Sequence, residues 1–302
     1  MFHVERGCKV GEGDRLCRPR GWRLDWAETA TDRPALARVL AVVNQKGGVG
    51  KTTTAVNLAA SLAAAERPTL LVDIDPQGNA SGGLGINAPP SQIYDVLSGA
   101  LTAAQALLPT AFSHLHMIAA GPDLAGAEIE LVSVEGRERL LRDALAPLLP
   151  HYDFVLIDCP PSLGLLTLNA LVAANAVLVP LQCEYYALEG LARLLGTVDR
   201  VRASFNPTLE REGIVLTMVD RRANLSQQVE DDVRSHFGTG APGAVFATTI
   251  PRNVRLSEAP SHGKPILLYD ISSRGASAYL QLAEELLRRH ARPERKPPPL
   301  GV

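Results

Sequence analysis

The stretch Lys46-Gly47-Gly48-Val49-Gly50-Lys51-Thr52-Thr53 decides the fold of this 302-residue chain. Its end, Gly50-Lys51-Thr52, fits the phosphate-binding loop motif, in which a glycine and four residues precede Gly-Lys-Ser/Thr. Gln45 holds the position of the first glycine, and an extra lysine, Lys46, follows it. Glycines let backbone N–H groups close around phosphate oxygens, and a helix N-terminus favours negative charge. The stretch therefore predicts a loop that binds a polyphosphate.

The residues on either side of this loop have the pattern that the motif requires. Residues 39–44 form an apolar run of strand length, and residues 53–65 are alanine-rich and of helical length. A strand, a glycine turn and a helix in this order are the expected context of a phosphate-binding loop. A glycine-rich turn without a ligand is the alternative, which the spacing and the two lysines disfavour.

Apolar strand-like and helix-like segments alternate along the rest of the chain. Strands are predicted at 38–44, 69–74, 115–119, 153–158, 176–181, 213–219 and 244–247, with 265–268 a weaker candidate. Helices are predicted at 51–65, 91–98, 136–147, 163–174, 188–204, 224–236 and 273–290. This alternation predicts an α/β fold with a doubly wound, mostly parallel sheet and helices on both faces.

Composition and charge limit the classes of function that the chain can have. The chain has 30 basic and 32 acidic residues, so binding to nucleic acid would need a local basic patch. Its four cysteines, at positions 8, 17, 159 and 183, have no metal-ligand spacing, which is typical of a reduced cytoplasmic protein. Neither a secretory signal nor an apolar run approaching the ~20 residues of a membrane span is visible, so we expect no membrane partner.

Four motifs together resemble the ParA/Soj/MinD group of deviant P-loop ATPases, most closely its chromosome-partitioning ParA (Soj) branch. They are the loop at 46–53, VDIDPQGN at 72–79, FVLIDCPPSLG at 154–164 and IPRNVRLSEAPSHG at 250–263. The last motif is long and specific to the Soj branch. The resemblance covers about residues 38–290 and implies one P-loop ATPase domain there.

The two ends of the chain lie outside this resemblance. Residues 1–37 contain many charged residues and scattered glycines and show no sustained hydrophobic periodicity. This pattern predicts a disordered extension. A mis-assigned start codon and a basic arm that contacts DNA are the alternatives. Residues 291–302 are basic and proline-rich, and they predict a flexible tail.

The resemblance implies an ATPase that forms a homodimer on binding ATP and binds double-stranded DNA without sequence preference. Such a protein acts in chromosome or plasmid segregation from the cytoplasm, associated with the nucleoid. Its cofactors would be ATP and Mg²⁺, and a ParB-like partner and DNA would stimulate hydrolysis to ADP and phosphate.

Three other functions stay open at this point. A MinD-like ATPase on a membrane surface needs a terminal amphipathic helix, and residues 281–290 have some of that character before Pro293 ends the pattern. A ParA-like ATPase that positions a cargo other than chromosomes would have the same fold and nucleotide chemistry. A metabolic P-loop enzyme would need a further substrate pocket.

Several residues have expected roles at the nucleotide. Lys51 is expected to neutralise β/γ-phosphate charge and the Thr52 hydroxyl to bind Mg²⁺. Asp158 closes a buried strand in the manner of an acid that holds Mg²⁺, usually through water. The residues expected to contact the nucleotide are Lys46, Gly47, Gly48, Val49, Gly50, Lys51, Thr52, Thr53, Met218, Asp220, Pro251 and Asn253, the last four around the adenine by resemblance.

Lys46, Lys51 and Asp75 form the expected catalytic set. By resemblance Asp75 orients the attacking water, with Asp73 supporting it, and the alternative for Asp75 is a turn cap ahead of Gly78. By resemblance Lys46 reaches across a dimer interface and stabilises charge on the partner's nucleotide, and the alternative is a solvated loop cation.

The remaining candidates concern DNA and the dimer. Arg222 and Arg255 align with DNA-binding positions of Soj-like proteins, and a guanidinium fork suits phosphate, although exposed arginines often only solvate a surface. Glu184 is a candidate for contact with the ribose or the partner subunit, or an ordinary loop carboxylate. His262 is interpreted as structural rather than catalytic.

Overall fold

A seven-stranded sheet lies at the centre of the described part of the protein. The computed structural model describes residues 37–184, 187–220 and 222–290. The strands are β1 (Arg38–Val42), β2 (Thr69–Asp73), β3 (Leu108–Pro109), β4 (Leu115–Ile118), β5 (Phe154–Asp158), β6 (Ala176–Gln182) and β7 (Glu210–Thr217). Their order is β3-β4-β2-β5-β1-β6-β7, and every neighbouring pair is parallel except β3 with β4.

Helices cover both faces of this sheet. Among the described residues they are α1 (Lys51–Ala64), α2 (Asn79–Gly83), α3 (Ile93–Leu97), α4 (Leu124–Glu130), α5 (Leu140–Leu145), α6 (Leu165–Ala173), α7 (Ala187–Ser204), α8 (Asn224–Phe237), α9 (Val254–Glu258), α10 (Ile266–Tyr269) and α11 (Arg274–Arg289). Helices α3 to α8 pack on one face, and α1, α2 and α9 to α11 pack on the other.

The strands are apolar throughout because both faces are covered. In β1, Val39 and Ala41 pack against the first group of helices, whereas Leu40 and Val42 pack against the second. Successive side chains of a strand point to opposite faces, so a strand buried on both sides has no polar face. The prediction of a doubly wound, mostly parallel sheet is confirmed.

Two strand predictions are wrong. Residues 244–247 form no strand, and Val245 makes only isolated bridges to Ile214 and Thr239. The predicted strand at 265–268 is instead helix α10, whose first N–H, of Ile266, donates to Asn57 Oδ1 at 2.7 Å. Both segments are apolar because they pack onto the sheet, and apolar character alone does not distinguish a short strand from a buried turn of helix.

Other differences concern short or terminal segments. The sequence pattern missed β3 and the short helices α2, α4 and α9. The helix predicted at 136–147 divides into a 3₁₀ turn at Arg137–Arg139 and α5. Of the predicted N-terminal extension only Ala37 lies within the described residues, and the predicted tail at 291–302 lies outside them.

A buried carboxylate joins the first strand to the last helix. Glu212 in β7 is 3% exposed and accepts hydrogen bonds from the Arg38 guanidinium and from His290 Nε2, which follows α11. Burial raises the pKa of Glu212, but the hydrogen bond and charge of His290 and the charge of Arg38 outweigh burial, so the net pKa is lowered. Arg289 adds a hydrogen bond to the Glu212 backbone carbonyl at 2.9 Å.

Replacing Glu212 by glutamine is expected to lower the free energy of unfolding at pH 7 by about 2–3 kcal/mol, because it leaves partly buried cations without their counter-charge. A lowered folded-state pKa contributes stability that is present above the unfolded value and lost as pH falls through the folded value. The difference from wild type should therefore shrink below about pH 4.5, the unperturbed glutamate value. Urea unfolding at several pH values measures it.

Glu210→Gln is the matched control for Glu212→Gln. Glu210 also pairs with Arg38 at 3.0 Å, but its side chain is 65% exposed. Exposed ion pairs contribute about 0–1 kcal/mol, so this variant should unfold nearly as wild type does. Equal losses in the two variants would contradict the assignment of the stabilisation to the buried carboxylate.

Candidate nucleotide site and basic groove

Three neighbouring strands bring the predicted site residues to one edge of the sheet. Strands β2, β5 and β1 lie side by side and run parallel. The loop of residues 46–50 follows β1, Asp75 follows β2 and Asp158 ends β5. Open α/β sheets bind ligands at the carboxyl ends of their strands. The predicted loop and both predicted carboxylates therefore share one location.

The backbone of the loop is held in an open shape. Gly48 and Gly50 have φ of 75° and 88°, in the left-handed region that suits glycine. The Thr217 hydroxyl donates to the Val49 carbonyl at 2.8 Å, which ties the loop to β7. Asn44 accepts from Lys46 N at 3.0 Å and donates to the Pro180 carbonyl at 2.7 Å, which ties the loop to β6.

A cavity of about 430 Å³ opens in front of this loop. Several of the predicted nucleotide contacts line this cavity, namely Gly47, Gly48, Gly50, Lys51, Thr52, Thr53 and Met218. Asp75 also lines it. Further lining residues that have no predicted role at the nucleotide include Gln77, Asn79, Pro161 and Lys264, which lie within or beside the quoted motifs. Lys46 is not among the lining residues.

The charged residues at this cavity and beneath it are largely buried. Lys51 is 7% exposed, and its Nζ donates to the Lys46 carbonyl at 3.1 Å. Burial lowers the pKa of Lys51, and the negative charges of Asp158 and Asp75 oppose that effect. Burial also raises the pKa of Asp73 to about 6, although this carboxylate accepts hydrogen bonds from Ser81. The site thus has one buried cation among three carboxylates.

Asp158 is the most strongly perturbed of these carboxylates. It is fully buried, and neither carboxylate oxygen has a hydrogen bond of good geometry in the described part of the chain, although Thr52 and Lys51 lie close enough to favour its charged form. Burial and then the charge of Asp73 raise the pKa of Asp158 well above its usual value. A buried carboxylate without donors is costly unless a cation accompanies it. Asp158 beside Thr52 therefore fits Mg²⁺, which prefers oxygen ligands.

Lys46 has a partner on its own chain. Its Nζ donates to Glu184 Oε2 in an ion pair whose side chains are 49% and 46% exposed. Glu184 lies just beyond the end of β6, the neighbour of β1 in the sheet. Both residues are candidates from the sequence, but their pairing is visible only in the structure.

The predicted adenine contacts gather around the end of β7. Val219 pairs with Pro251, and Val219 N donates to the Ile250 carbonyl at 3.0 Å. Met218 has φ of 51°, an uncommon value for a non-glycine residue that is often found at functional sites. Asp220 and Pro251 line a second cavity, described next, whereas Asn253 lines neither cavity and caps α9 by accepting from Arg255 N.

This second cavity, of about 750 Å³, is a groove beside the end of β7 with a basic lining. Arg222, Arg252 and Arg274 all line it, together with Asp220. In the described residues none of these three guanidinium groups forms an ion pair, and all three are exposed. We call these arginines and the cavity they line the basic groove.

Arg255 differs from the arginines of the basic groove. Its guanidinium pairs with Glu258 at 2.9 Å and with Asp270 at 3.6 Å, and it does not line the cavity. The structure thus places Arg222, but not Arg255, in the basic groove. Arg252 and Arg274 were missed by the sequence analysis, because isolated arginines carry no sequence signal of the groove that they share.

Comparison with known proteins agrees with this geometry. A family model described as an AAA domain matches residues 37–211. The chromosome partitioning protein ParA of Myxococcus xanthus is 57% identical over 292 residues, which cover 96% of each chain. The sporulation initiation inhibitor protein Soj of Bacillus subtilis is 53% identical over 253 residues, covering 83% of this chain and 98% of Soj.

A solved structure is also similar. It is the crystal structure of cobyrinic acid a,c-diamide synthase from Mycobacterium smegmatis with bound ADP and magnesium. It superposes with a TM-score of 0.73 at 41% identity, and the match covers 84% of this chain and 95% of that one.

The fold, the loop with its additional lysine and the carboxylates at the sheet edge define a P-loop nucleotide-binding protein of the deviant Walker A type. Within that class, the chain belongs to the ParA/Soj family of chromosome-partitioning ATPases. No helix in the described ranges combines the length and apolar character needed to cross a membrane.

Proposed function

We propose that this chain is an Mg²⁺-dependent ATPase that dimerises on ATP and binds double-stranded DNA without sequence preference, and that it acts in chromosome or plasmid segregation. The observation that supports the proposal is a phosphate loop beside a buried carboxylate that lacks a well-formed hydrogen bond. The lining of the basic groove begins at Val219, the residue after Met218 of the nucleotide cavity. Membership of the ParA/Soj family supports the cellular role. The chain would work in the cytoplasm, on the nucleoid.

The proposed roles of the site residues follow from their positions. The loop N–H groups and Lys51 bind the polyphosphate of ATP, while Thr52 and Asp158 hold Mg²⁺. When bound, Mg²⁺ neutralises charge on the phosphate oxygens. Asp75, 6% exposed at the cavity, holds the attacking water in line with the terminal phosphate. Met218, which lines the cavity, contacts the adenine, whereas the proposed adenine contacts of Asp220, Pro251 and Asn253 rest on family membership and not on their positions.

Lys46 acts on the partner subunit in this proposal. It does not line its own chain's cavity, and its exposed side chain lies at the same sheet edge. A cation supplied from a second subunit stabilises the charge of the transferred phosphoryl group, as an arginine finger does. ATP binding and dimerisation then become one linked equilibrium, and hydrolysis releases the dimer. A ParB-like partner would accelerate that step.

DNA binding follows from the basic groove in this proposal. Arg222, Arg252 and Arg274 carry three positive charges against the single charge of Asp220. Arginine donates paired hydrogen bonds to phosphate, and such contacts position a protein on DNA without reading sequence. A dimer doubles the number of phosphates bound, so only the ATP-bound form should bind tightly. Arg255 remains a candidate that would have to exchange Glu258 and Asp270 for phosphate.

The test is retention of the protein on random-sequence DNA at several salt concentrations. Wild type should bind at least about tenfold more tightly with ATP than with ADP, because the dimer neutralises twice as many phosphates. Replacing Arg252 or Arg274 by alanine should weaken binding with ATP several-fold and reduce the salt slope by about one for each phosphate that is no longer neutralised. Arg222→Ala should act in the same direction.

Arg193→Ala is the control for these variants. Arg193 is an exposed arginine on α7 that pairs with Glu189, outside the basic groove. Its removal changes the net charge equally and should leave DNA binding nearly unchanged. Equal DNA affinity with ATP and ADP would contradict the proposed switch. Equal effects of the groove variants and Arg193→Ala would contradict the location of the DNA surface.

A further inference from the structure

The ion pair between Lys46 and Glu184 lies where the proposed dimer would form. Both side chains are about half exposed, so a neighbouring subunit has access to them. Lys46 belongs to the phosphate loop at the end of β1, and Glu184 follows the adjacent strand β6. The pair therefore joins two loops at the nucleotide edge of the sheet.

The backbone holds both partners of this pair in place. Asn44 connects Lys46 N to the Pro180 carbonyl in β6. Glu184 N donates to the Gln182 carbonyl at 2.9 Å, and the Glu184 carbonyl accepts from Ala187 N, at the start of α7, at 2.9 Å. Because both residues are anchored in loops that directly follow neighbouring strands, only the two side chains have to be ordered for the pair to form.

We infer that Glu184 is a positioning residue that retains Lys46 on its own subunit and thereby opposes nucleotide-dependent dimerisation. The inference rests on the proposed function, in which Lys46 reaches the neighbour's polyphosphate. The Lys46 ammonium must leave Glu184 to neutralise a phosphate on the other subunit. A twofold dimer breaks two such pairs, and it also brings each Glu184 carboxylate near polyphosphate charge of the same sign.

The ion pair between Glu184 and Lys46 is expected to weaken dimerisation more than it weakens ATP binding by one subunit. Lys51, not Lys46, lines the cavity of its own chain, so breaking the ion pair is not required for a single subunit to bind ATP. Exposed ion pairs typically shift an equilibrium by up to a few-fold each. Two pairs per dimer should therefore weaken dimerisation by about three- to tenfold.

The first experiment measures the dimer dissociation constant by sedimentation equilibrium with Mg²⁺ and a non-hydrolysable ATP analogue. Glu184→Gln should tighten the dimer by about three- to tenfold. Glu189→Gln, which removes an equally charged and exposed residue of α7 paired with Arg193, should change it less than twofold. Unchanged or weaker dimerisation of Glu184→Gln would overturn the inference, and a weaker dimer would favour a contact of Glu184 with the partner or the ribose.

The second experiment tests the ion pair without nucleotide. The nucleotide-free chain is acetylated with a water-soluble amine reagent, and mass spectrometry follows each lysine. Lys46 should react about two- to threefold faster in Glu184→Gln than in wild type, while Lys264 should react equally in both. An unchanged rate at Lys46 would overturn the inference. A wild-type chain that stays monomeric with the analogue would contradict the proposed function, whereas the labelling result depends on the pair alone.

Discussion

Replacing Lys51 by alanine is expected to raise the dissociation constant for Mg-ATP by at least about 100-fold. Lys51 is the buried cation of the nucleotide cavity, and Asp75 and Asp158 are close enough to perturb its pKa. Without Lys51, those carboxylates would face the polyphosphate with no buried positive charge from the described residues that line the cavity. Removing one partner of a buried charge pair costs about 3–5 kcal/mol, and each 1.4 kcal/mol is tenfold in affinity. Isothermal titration calorimetry measures the change.

Lys264→Ala is the matched control for Lys51→Ala. Lys264 lines the same cavity, but its side chain is exposed. An exposed cation is screened by water and salt, so its removal should change the dissociation constant only a few-fold. If Lys51→Ala bound Mg-ATP within about fivefold of wild type, the cavity would not be the nucleotide site.

The phosphate loop was predictable because its information is local. The strand, the glycine turn and the helix are contiguous in sequence, and Gly50, with its left-handed backbone, lies where the motif requires glycine. The sheet was predictable for a related reason, since strands buried on both faces leave continuous apolar runs. The same reasoning failed at 244–247, where Val245 and Phe246 are fully buried but lie in no strand.

Side-chain pairs that are close in sequence carry a local signal, whereas distant pairs carry none. Arg255 and Glu258 are three residues apart, a spacing that brings side chains together on a helix, and they do pair. Lys46 and Glu184 are 138 residues apart, and only the order of the strands in the sheet makes them neighbours. The basic groove joins arginines from three separate segments for the same reason. The depth at which each charged pair is buried decides the charge balance of the site. This depth follows from the order of the strands and not from the motifs.

Replacing Asp158 by asparagine is expected to stabilise the nucleotide-free chain and to weaken its response to Mg-ATP. In EDTA, without nucleotide, the variant should have a free energy of unfolding about 1–3 kcal/mol higher than wild type. Both carboxylate oxygens of Asp158 are buried without a well-formed hydrogen bond, and Asp73 occupies the neighbouring position of the adjacent strand. Burial and the charge of Asp73 outweigh the attraction of Lys51, so the charged form of Asp158 is disfavoured. The amide has nearly the same volume, carries no charge and can donate hydrogen bonds to the surrounding carboxylates.

The same substitution should remove most of the stabilisation that Mg-ATP gives. A ligand that binds only the folded state stabilises it by about 2.7 kcal/mol when present at 100 times its dissociation constant. An amide is a weaker ligand for Mg²⁺ than a carboxylate, so the variant should gain much less from Mg-ATP than wild type does. Urea unfolding with EDTA and with Mg-ATP gives both quantities for each protein.

Asp153→Asn is the control for Asp158→Asn. It tests whether the gain in stability and the lost response to Mg-ATP are specific to Asp158 or common to carboxylates at either end of β5. Asp153 immediately precedes β5, at the end opposite Asp158, and its carboxylate pairs with Arg67 at 3.6 Å. Removing that charge takes away a favourable interaction, so this variant should lose stability by up to about 1 kcal/mol and retain the full response to Mg-ATP. A loss of stability in Asp158→Asn, measured in EDTA, would mean that the buried carboxylate is satisfied without a cation. The case for Mg²⁺ at that position would then fail, because it depends on the cost of leaving Asp158 unpaired.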